Sequence, residues 1–586
     1  MTAVRSVLLA TALIGALFSS RVGAAAETVK VGLPVPLTGF VAESARDMVD
    51  GFKLYLSQSG NKLGGMNVDL KVEDTEANPQ NALTKMRKLV ENDKVNLVVG
   101  YLLAFEGYAV RDYVHNNMVP LFLPVVAADD LTQRKRSPYI VRMIWTSSQP
   151  NHPFGKYAYE KLGYRRIATV AQDYAFGWEN VGGFQKTFEE AGGKIVEKIW
   201  VPLDAADYSA FVTRIPRDVD AVYALLVGSH IPGVLRTYRD YGLKDKIPLI
   251  AGNITTDEDV LRSMGDEALG VVTSHTYAAS LTRPQNVAFV NAFKNAFKRD
   301  PSYYAEAMYT AAMWLDRGIA KAGGASDAMK LIDAVKSVDL QDAPRGPLKL
   351  DAYNNPIETV YIRRVVKKPD GKGMENQVID KIDNVSQFWT YSPEEFLKQP
   401  VYSRDFPPLK NEHALIRAAL AARSGVGRAR AWLRRGIYGV TIWVTYVLNG
   451  LSFGALLFLL SSGFTLAFGL MKIINIAHGS FYMLGAYVSV SVMLATGNFA
   501  AAIGAGAFTV LIFAIVLEEV LLRRYHLRDL PQILLTMGVA FIVSRVCLII
   551  WGGDPLVMRT PSWLSGPLIF GDFAFPKYRI FLIVAA

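Results

Sequence analysis

The 586-residue chain has a single cysteine, Cys547, which excludes an intrachain disulfide and any cysteine-built metal cluster. It has no GxxxxGK[ST] loop to cradle a nucleotide, no paired-histidine metal motif, and no nucleophile elbow between a strand and a helix. Enzymatic chemistry, a cofactor and a bound metal are therefore not expected. Lys+Arg 63 against Asp+Glu 53 gives a net charge of +10, yet much of the excess is local. Arg417, Arg423, Arg428, Arg430, Arg434 and Arg435 crowd together between two compositional regimes. No basic face with interleaved aromatics marks a nucleic-acid partner. The most informative shortage is of charge itself. Gly436–Met471 contains no charged residue, and neither does Ile473–Leu517 apart from His478.

What is present divides the chain. At the start, Arg5, an apolar core from Val7 to Phe18, and Ala24-Ala25-Ala26 before Glu27 form the pattern of a secretory signal. The apolar core is short for a membrane span of ~20 residues. Residues 1–26 are read as a signal peptide, 27–410 as a soluble domain, 411–436 as an arginine-rich linker, and 437–586 as a membrane domain.

In the soluble domain, VKVGLP, DLKVE, NLVVG, VPLFLP, RIATVA, AVYALLV and PLIAG read as strands. PQNALTKMRKLVEN, GGFQKTFEEAG and PGVLRTYRDYG read as helices, the last two stopping at glycine. Repeated strand–helix order predicts parallel sheets covered by helices. Two such lobes are expected, centred on residues 29–145 and 146–276, with later segments crossing back. Open sheets of this kind bind ligands beyond the carboxyl ends of their strands. Those loops are 36–44, 100–107, 124–130, 172–179, 227–233 and 251–259. They bring Phe40, Ser44, Tyr101, Phe105, Tyr174 and Phe176 among small residues that expose backbone N–H groups, the mix expected of an apolar cleft with few polar anchors. His230 could donate to a bound acid or hold a loop together.

The order of VGLPVPLTG, PQNALTKMRKLV, VVGYLLAFE, VPLFLPVVAADDLTQ and VAQDYAFG resembles a type I periplasmic binding protein, closest to the branched-chain amino-acid-binding group, over roughly residues 28–390. The resemblance implies a two-lobed α/β fold with two doubly wound parallel sheets. It also places the ligand's carboxylate at Ala104 and Val126-Ala127, and the ammonium group at Asn253, where the family has a glutamate. An ammonium buried beside an asparagine would lack a counter-charge. Glu106 or Asp257 could replace the missing acid. The departure favours an aromatic acid over a branched-chain amino acid. Ala77 and Leu103 stand at the family's disulfide positions.

In the last quarter, the uncharged runs predict helical spans near 440–462, 475–496, 500–522 and 531–552, with a fifth starting at YRIFLIVAA. Lys472, Arg523, Arg524 and Arg528 place two connections in the cytoplasm by the positive-inside tendency, and so put the soluble domain outside. The six linker arginines run against that rule. NGLSFGALLFLLSSGFTLAFGLMKIINIAHGSFYMLGAY and LEEVLLRRYHLRDLPQILLTMGVAFI resemble the membrane subunits of branched-chain amino-acid ABC importers. Within INIAHG, Asn475, His478 and Gly479 are the motif residues, His478 serving either an interhelical hydrogen bond or solute contact.

The joint resemblance implies a solute-binding domain and an all-α, partial permease of an ABC importer at the inner (plasma) membrane, with the binding domain in the periplasm. Its partners would be a small carboxylate, separate ATP-binding subunits, and a second permease subunit. The permease part is expected to be about half complete at Ala586. A joined product of two neighbouring genes and a ligand sensor are the competing readings.

Overall fold

The computed structural model describes residues 28–371, 373–410, 426–471, 475–525, 528–551, 561, 563–570 and 573–586. The signal predicted at 1–26 and the linker stretch 411–425 lie outside these residues.

Strands β1 (Thr28–Val35), β2 (Lys62–Leu63), β3 (Met66–Asp74), β4 (Leu97–Val99), β5 (Leu121–Leu123) and β6 (Ile140–Arg142) form one sheet in the order β2-β3-β1-β4-β5-β6. All pairs are parallel except that of the short β2. Val31, Leu33 and Val35 of the central β1 are wholly buried, as a parallel strand covered on both faces requires. The predicted PQNALTKMRKLV helix starts at Pro79, where Asn78 accepts the N–H groups of Gln80 and Asn81 at 2.9 and 3.1 Å.

The second sheet holds β7 (Arg166–Gln172), β8 (Lys194–Val201), β9 (Ala221–Leu225), β10 (Leu249–Ala251) and β11 (Val272–His275), all parallel. β12 (Lys349–Leu350), β13 (Pro356–Lys367) and β14 (Met374–Val385) extend it antiparallel beyond β11. This late hairpin is absent from the strand–helix alternation of the sequence. The chain crosses between lobes three times, around residues 143–150, 276–283 and 337–348.

Five helices matter for the cleft: α1 (Ala42–Gln58), α2 (Ala104–Asn116), α3 (Ala175–Glu190), α4 (His230–Asp240) and α5 (Tyr303–Ala322). Helix α5 follows the parallel strands β7–β11 of the second sheet in sequence yet packs on α1 of the first lobe. Gly51 of α1 makes this possible, because a Cβ there would sit 2.0 Å from the Ala305 carbonyl oxygen.

Polar contacts hold the lobes together across the cleft. Ser44 donates to Asp259 at 2.5 Å, and Arg262 pairs with Glu43 and Asp47 at 2.7 Å each. Glu179 of α3 accepts from the Tyr108 hydroxyl at 3.0 Å and from the Asp129 N–H at 3.1 Å. Burial pushes the Asp259 carboxyl up to about 7, with the nearby charge of Glu43 adding to the rise and Arg262 opposing it. Burial likewise raises Asp129 to about 6.

The last part is helical: α6 (Val426–Met471), α7 (His478–Thr496), α8 (Phe499–Leu517), α9 (Asp529–Trp551) and α10 (Lys577–Ala585). Trp443–Leu466, His478–Thr496, Phe499–Tyr525 and Leu530–Trp551 are each long and apolar enough to cross a membrane. Small residues let α7 and α8 touch: a Cβ at Gly506 would lie 2.1 Å from the Ser489 hydroxyl and 2.7 Å from the Gly485 carbonyl. The second lobe meets this part where Tyr241 donates to Asn449 at 2.7 Å and Arg579 pairs with Asp207.

Two outcomes follow from these contacts. A carboxyl raised from an unfolded value of about 3.9 keeps its proton in the native state while the unfolded chain has lost it. Stability therefore falls as pH rises from about 4 through about 7, and the melting temperature of the full chain in detergent should drop across that window. Asp259→Asn should flatten the drop, and an unchanged slope would refute the role of Asp259. Separately, Gly51→Ala forces α5 off α1 and should cost at least about 1–3 kcal/mol of stability by overpacking; thermal unfolding reads it, and an unchanged melting temperature would show that the helices part freely.

Candidate functional site: the cleft between the lobes

Beyond the carboxyl ends of β4, β5, β6, β7, β9 and β10 lies a narrow void of ≈ 20 Å³. Its walls are Leu102, Ala104, Val125, Ala127, Trp145, Tyr174, Phe176, Val227, Ile254, Tyr303 and Tyr304. That space holds about one water, so a ligand enters only as the wall side chains or the lobes move apart. Both lobes contribute, so a ligand there would be gripped on closure.

Three helices begin at this void. Ala104 opens α2, Phe176 is in the first turn of α3, and Tyr303 opens α5. The loops expected at 100–107, 172–179 and 227–233 are shorter than the sequence suggests, since α2, α3 and α4 start inside them. At α2 the cause is Glu106, which accepts the N–H groups of Leu102 and Leu103 at 3.2 and 2.9 Å and a bond from the Thr75 hydroxyl. First-turn N–H groups have no intrahelical acceptor and the dipole adds partial positive charge, so the ends of α2 and α3 favour an anion, whereas that of α5 is already capped by the Asp257 carboxylate and the Ser302 hydroxyl.

Among the residues expected at the site, Ala104, Ala127, Tyr174 and Phe176 line the void together. Phe105 stacks beside Tyr174, with ring centroids 5.8 Å apart. Val126 lies behind the wall, where its carbonyl accepts from buried Arg142. Tyr101 turns the other way: its backbone is left-handed, with φ 58°, and its hydroxyl donates to the Ala82 carbonyl at 3.0 Å inside the first lobe. Phe40 and Ser44 line a separate recess at the mouth of the cleft. His230 closes that mouth, with its ring 5.5 Å from that of Phe40 and Nδ1 3.0 Å from the Tyr208 hydroxyl. Burial lowers its pKa.

Asn253 sits behind Ile254, with its carbonyl accepting from Arg363 at 2.7 Å and its Oδ1 from the Ile254 N–H at 3.0 Å. The two acids that could have replaced the family's glutamate are engaged elsewhere. Glu106 caps α2, and Asp257 accepts the Tyr303 N–H at 2.9 Å while facing Arg363 at 3.8 Å. Neither lines the void, and among the described residues of its wall none carries a carboxylate.

Sequence reasoning missed Trp145, Tyr303 and Tyr304. Trp145 follows β6, a strand that the sequence reading did not include, and the tyrosines open a helix. The available signal was Ser302 before two aromatics, a helix start whose N-cap serine accepts the Ala305 N–H.

In the membrane part, Asn475 Oδ1 accepts the Ala477 N–H at 2.9 Å and thereby starts α7. His478 Nε2 lies 3.3 Å from the Leu460 carbonyl oxygen of α6, an interhelical contact. Gly479 follows on α7, with open space where a side chain would project.

Comparison with known proteins places both modules. Residues 28–372 match the periplasmic binding protein family, and residues 446–586 match the branched-chain amino acid transport system permease component. The Leu/Ile/Val-binding protein homolog 6 of Brucella melitensis is 31% identical over 364 residues, covering 61% of this chain and 92% of the relative. A solute-binding protein of an ABC transporter from Rhodopseudomonas palustris BisB5, solved with 3,4-dihydroxybenzoic acid, is 32% identical with a TM-score of 0.58, covering 61% of this chain and 98% of that one. Another from R. palustris, solved with 4-hydroxybenzoate, is 28% identical with a TM-score of 0.59, covering 62% and 99%. The chain therefore belongs to the periplasmic binding protein family over residues 28–372 and carries a branched-chain amino acid transport permease domain over residues 446–586.

Proposed function

We propose that this chain captures a small aromatic carboxylate outside the inner membrane and presents it to its own permease domain, as part of an ABC importer. The observation that carries this reading is the wall of the void. The N-termini of α2 and α3 meet it, aromatic rings line it, and no carboxylate among the described wall residues faces it. An anion gains from the helix ends. A ligand ammonium would be buried without a counter-charge, which is costly. This argues against a branched-chain amino acid even though the relatives' names include leucine, isoleucine and valine binding. Related proteins solved with hydroxylated benzoates support the aromatic choice.

In sequence, Lys472 lies between the first and second spans, and Arg523, Arg524 and Arg528 at the junction of the third and fourth; both connections would face the cytoplasm, leaving the binding lobes on the other side. Separate ATP-binding subunits and a second permease subunit would complete the transporter.

Titration calorimetry of the full chain in detergent, with 4-hydroxybenzoate, 3,4-dihydroxybenzoate and leucine in turn, tests the ligand class. Micromolar or tighter binding of an aromatic acid, on the order of −8 kcal/mol, with no heat from leucine is the expected result. Leucine binding without aromatic-acid binding would overturn the reading.

A further inference from the structure

One group of side chains beside the void is polar, buried and unpartnered among the described residues. There Trp145 Nε1, His275 Nε2 and the Tyr303 hydroxyl each lack a hydrogen-bond partner, and all three residues are at most 1% exposed. The three rings pack on one another. The His275 and Tyr303 centroids are 4.6 Å apart, those of Trp145 and His275 5.6 Å, and those of Trp145 and Tyr303 5.7 Å. They come from three distant places in the chain: a crossing segment, the last residue of β11, and the first residue of α5. Trp145 and Tyr303 form part of the wall of the void itself.

Buried polar groups in native proteins are nearly always paired, and an isolated orphan is destabilising. Three in mutual contact beside the narrow void between the lobes point to a function for their hydrogens. Their protonation is set by the surroundings. His275 Nδ1 accepts the Tyr277 N–H at 3.1 Å, which leaves the proton of the neutral ring on Nε2. Burial and the nearby guanidinium groups of Arg363 and Arg345 hold that ring neutral, and burial keeps the Tyr303 phenol protonated. The cluster therefore offers an indole N–H, an imidazole N–H and a phenol O–H, with no charge on any of them.

Resting on the aromatic-acid reading above, we infer that Trp145 and Tyr303, positioned by His275, form a neutral donor site for an oxygen substituent on the ligand's ring. The ligand's carboxylate is left to the N-termini of α2 and α3. A phenolic hydroxyl matches this site well. It accepts from the Trp145 N–H and exchanges a hydrogen bond with Tyr303, which can accept as well as donate. An unsubstituted ring would leave the same groups unpaired, and sites built to hydrogen-bond a hydroxyl reject the analogue lacking it. The site thus selects hydroxylated benzoates over benzoate within the aromatic-acid class. His275 acts as a positioning residue, since it packs against both donors without lining the void.

The test is calorimetric titration of the full chain in detergent with benzoate and 4-hydroxybenzoate, for the wild type, Trp145→Phe and Tyr303→Phe. The wild type should bind 4-hydroxybenzoate at least about tenfold tighter than benzoate. Each substitution should shrink that ratio towards one, with an unchanged melting temperature showing that the fold is intact. Equal wild-type affinity for the two acids would overturn the inference while leaving the aromatic-acid reading standing. Equal weakening of both acids by the substitutions would also overturn it, because the donors would then hold the carboxylate. Binding of neither acid, with leucine bound instead, would remove the parent reading and this inference with it.

Discussion

The close approach of α5 to α1 is the contact on which the cleft depends. Helix α5 is synthesised after the parallel strands of the second sheet, yet it lies against the first lobe, where Gly51 faces the Ala305 carbonyl with no room for a methyl group. That approach fixes where α5 begins. Its first two residues, Tyr303 and Tyr304, form part of the wall of the void. A helix shifted outward would withdraw two aromatic rings together. The same helix carries Glu306, which is buried next to Arg345 from the third crossing, 3.6 Å away.

Behind the void, charge is costly and tightly allotted. Arg345 is flanked by Glu306 and Glu358 at 3.6 and 3.5 Å, and all three side chains are buried. One guanidinium cannot fully offset two carboxylates in such a place, and burial pushes Glu358 up to about 7. Arg363 is shared between the Asn253 and Tyr277 carbonyls and the Asp257 carboxylate. Every acid near the cleft thus serves the crossings, a helix start or the lobe contacts. The chemistry of the void is left to neutral donors, helix ends and rings. This division follows from the cost of burying an unpaired charge, and it makes the ligand's charge predictable from the protein's own pairing.

The strand order and the position of the cleft were legible because parallel strands read as short apolar runs, and their following loops must converge at one end of the sheet. Ala104, Ala127, Tyr174 and Phe176 were found in this way. Two kinds of residue escaped. Tyr101 follows a strand as the rule requires, but its left-handed backbone swings the ring into the first lobe, and no residue type announces that conformation except glycine. Trp145 and Tyr303 line the cleft from a crossing and a late helix, whose placement depends on packing between parts some 250 residues apart in sequence, such as Gly51 and Ala305. Local pattern carries no trace of such a contact. The β13–β14 hairpin was missed for a related reason: its partner strand β11 lies far upstream, and the pairing is antiparallel at the edge of an otherwise parallel sheet.

In the membrane part the polar residues of INIAHG are accounted for by the backbone. Where a helix starts within apolar surroundings, each exposed N–H must find an acceptor in the protein, because no water is there to supply one. Asn475 supplies one through Ala477, and Thr536 of α9 supplies another by accepting the Ile476 N–H at 3.2 Å. His478 reaches the Leu460 carbonyl of α6, passing beside Gly463, where a Cβ would come within 3.1 Å of the imidazole. Asparagine, histidine and glycine thus form one device: a capped helix start latched to two neighbouring helices. Groups committed in this way have little capacity left for a passing solute.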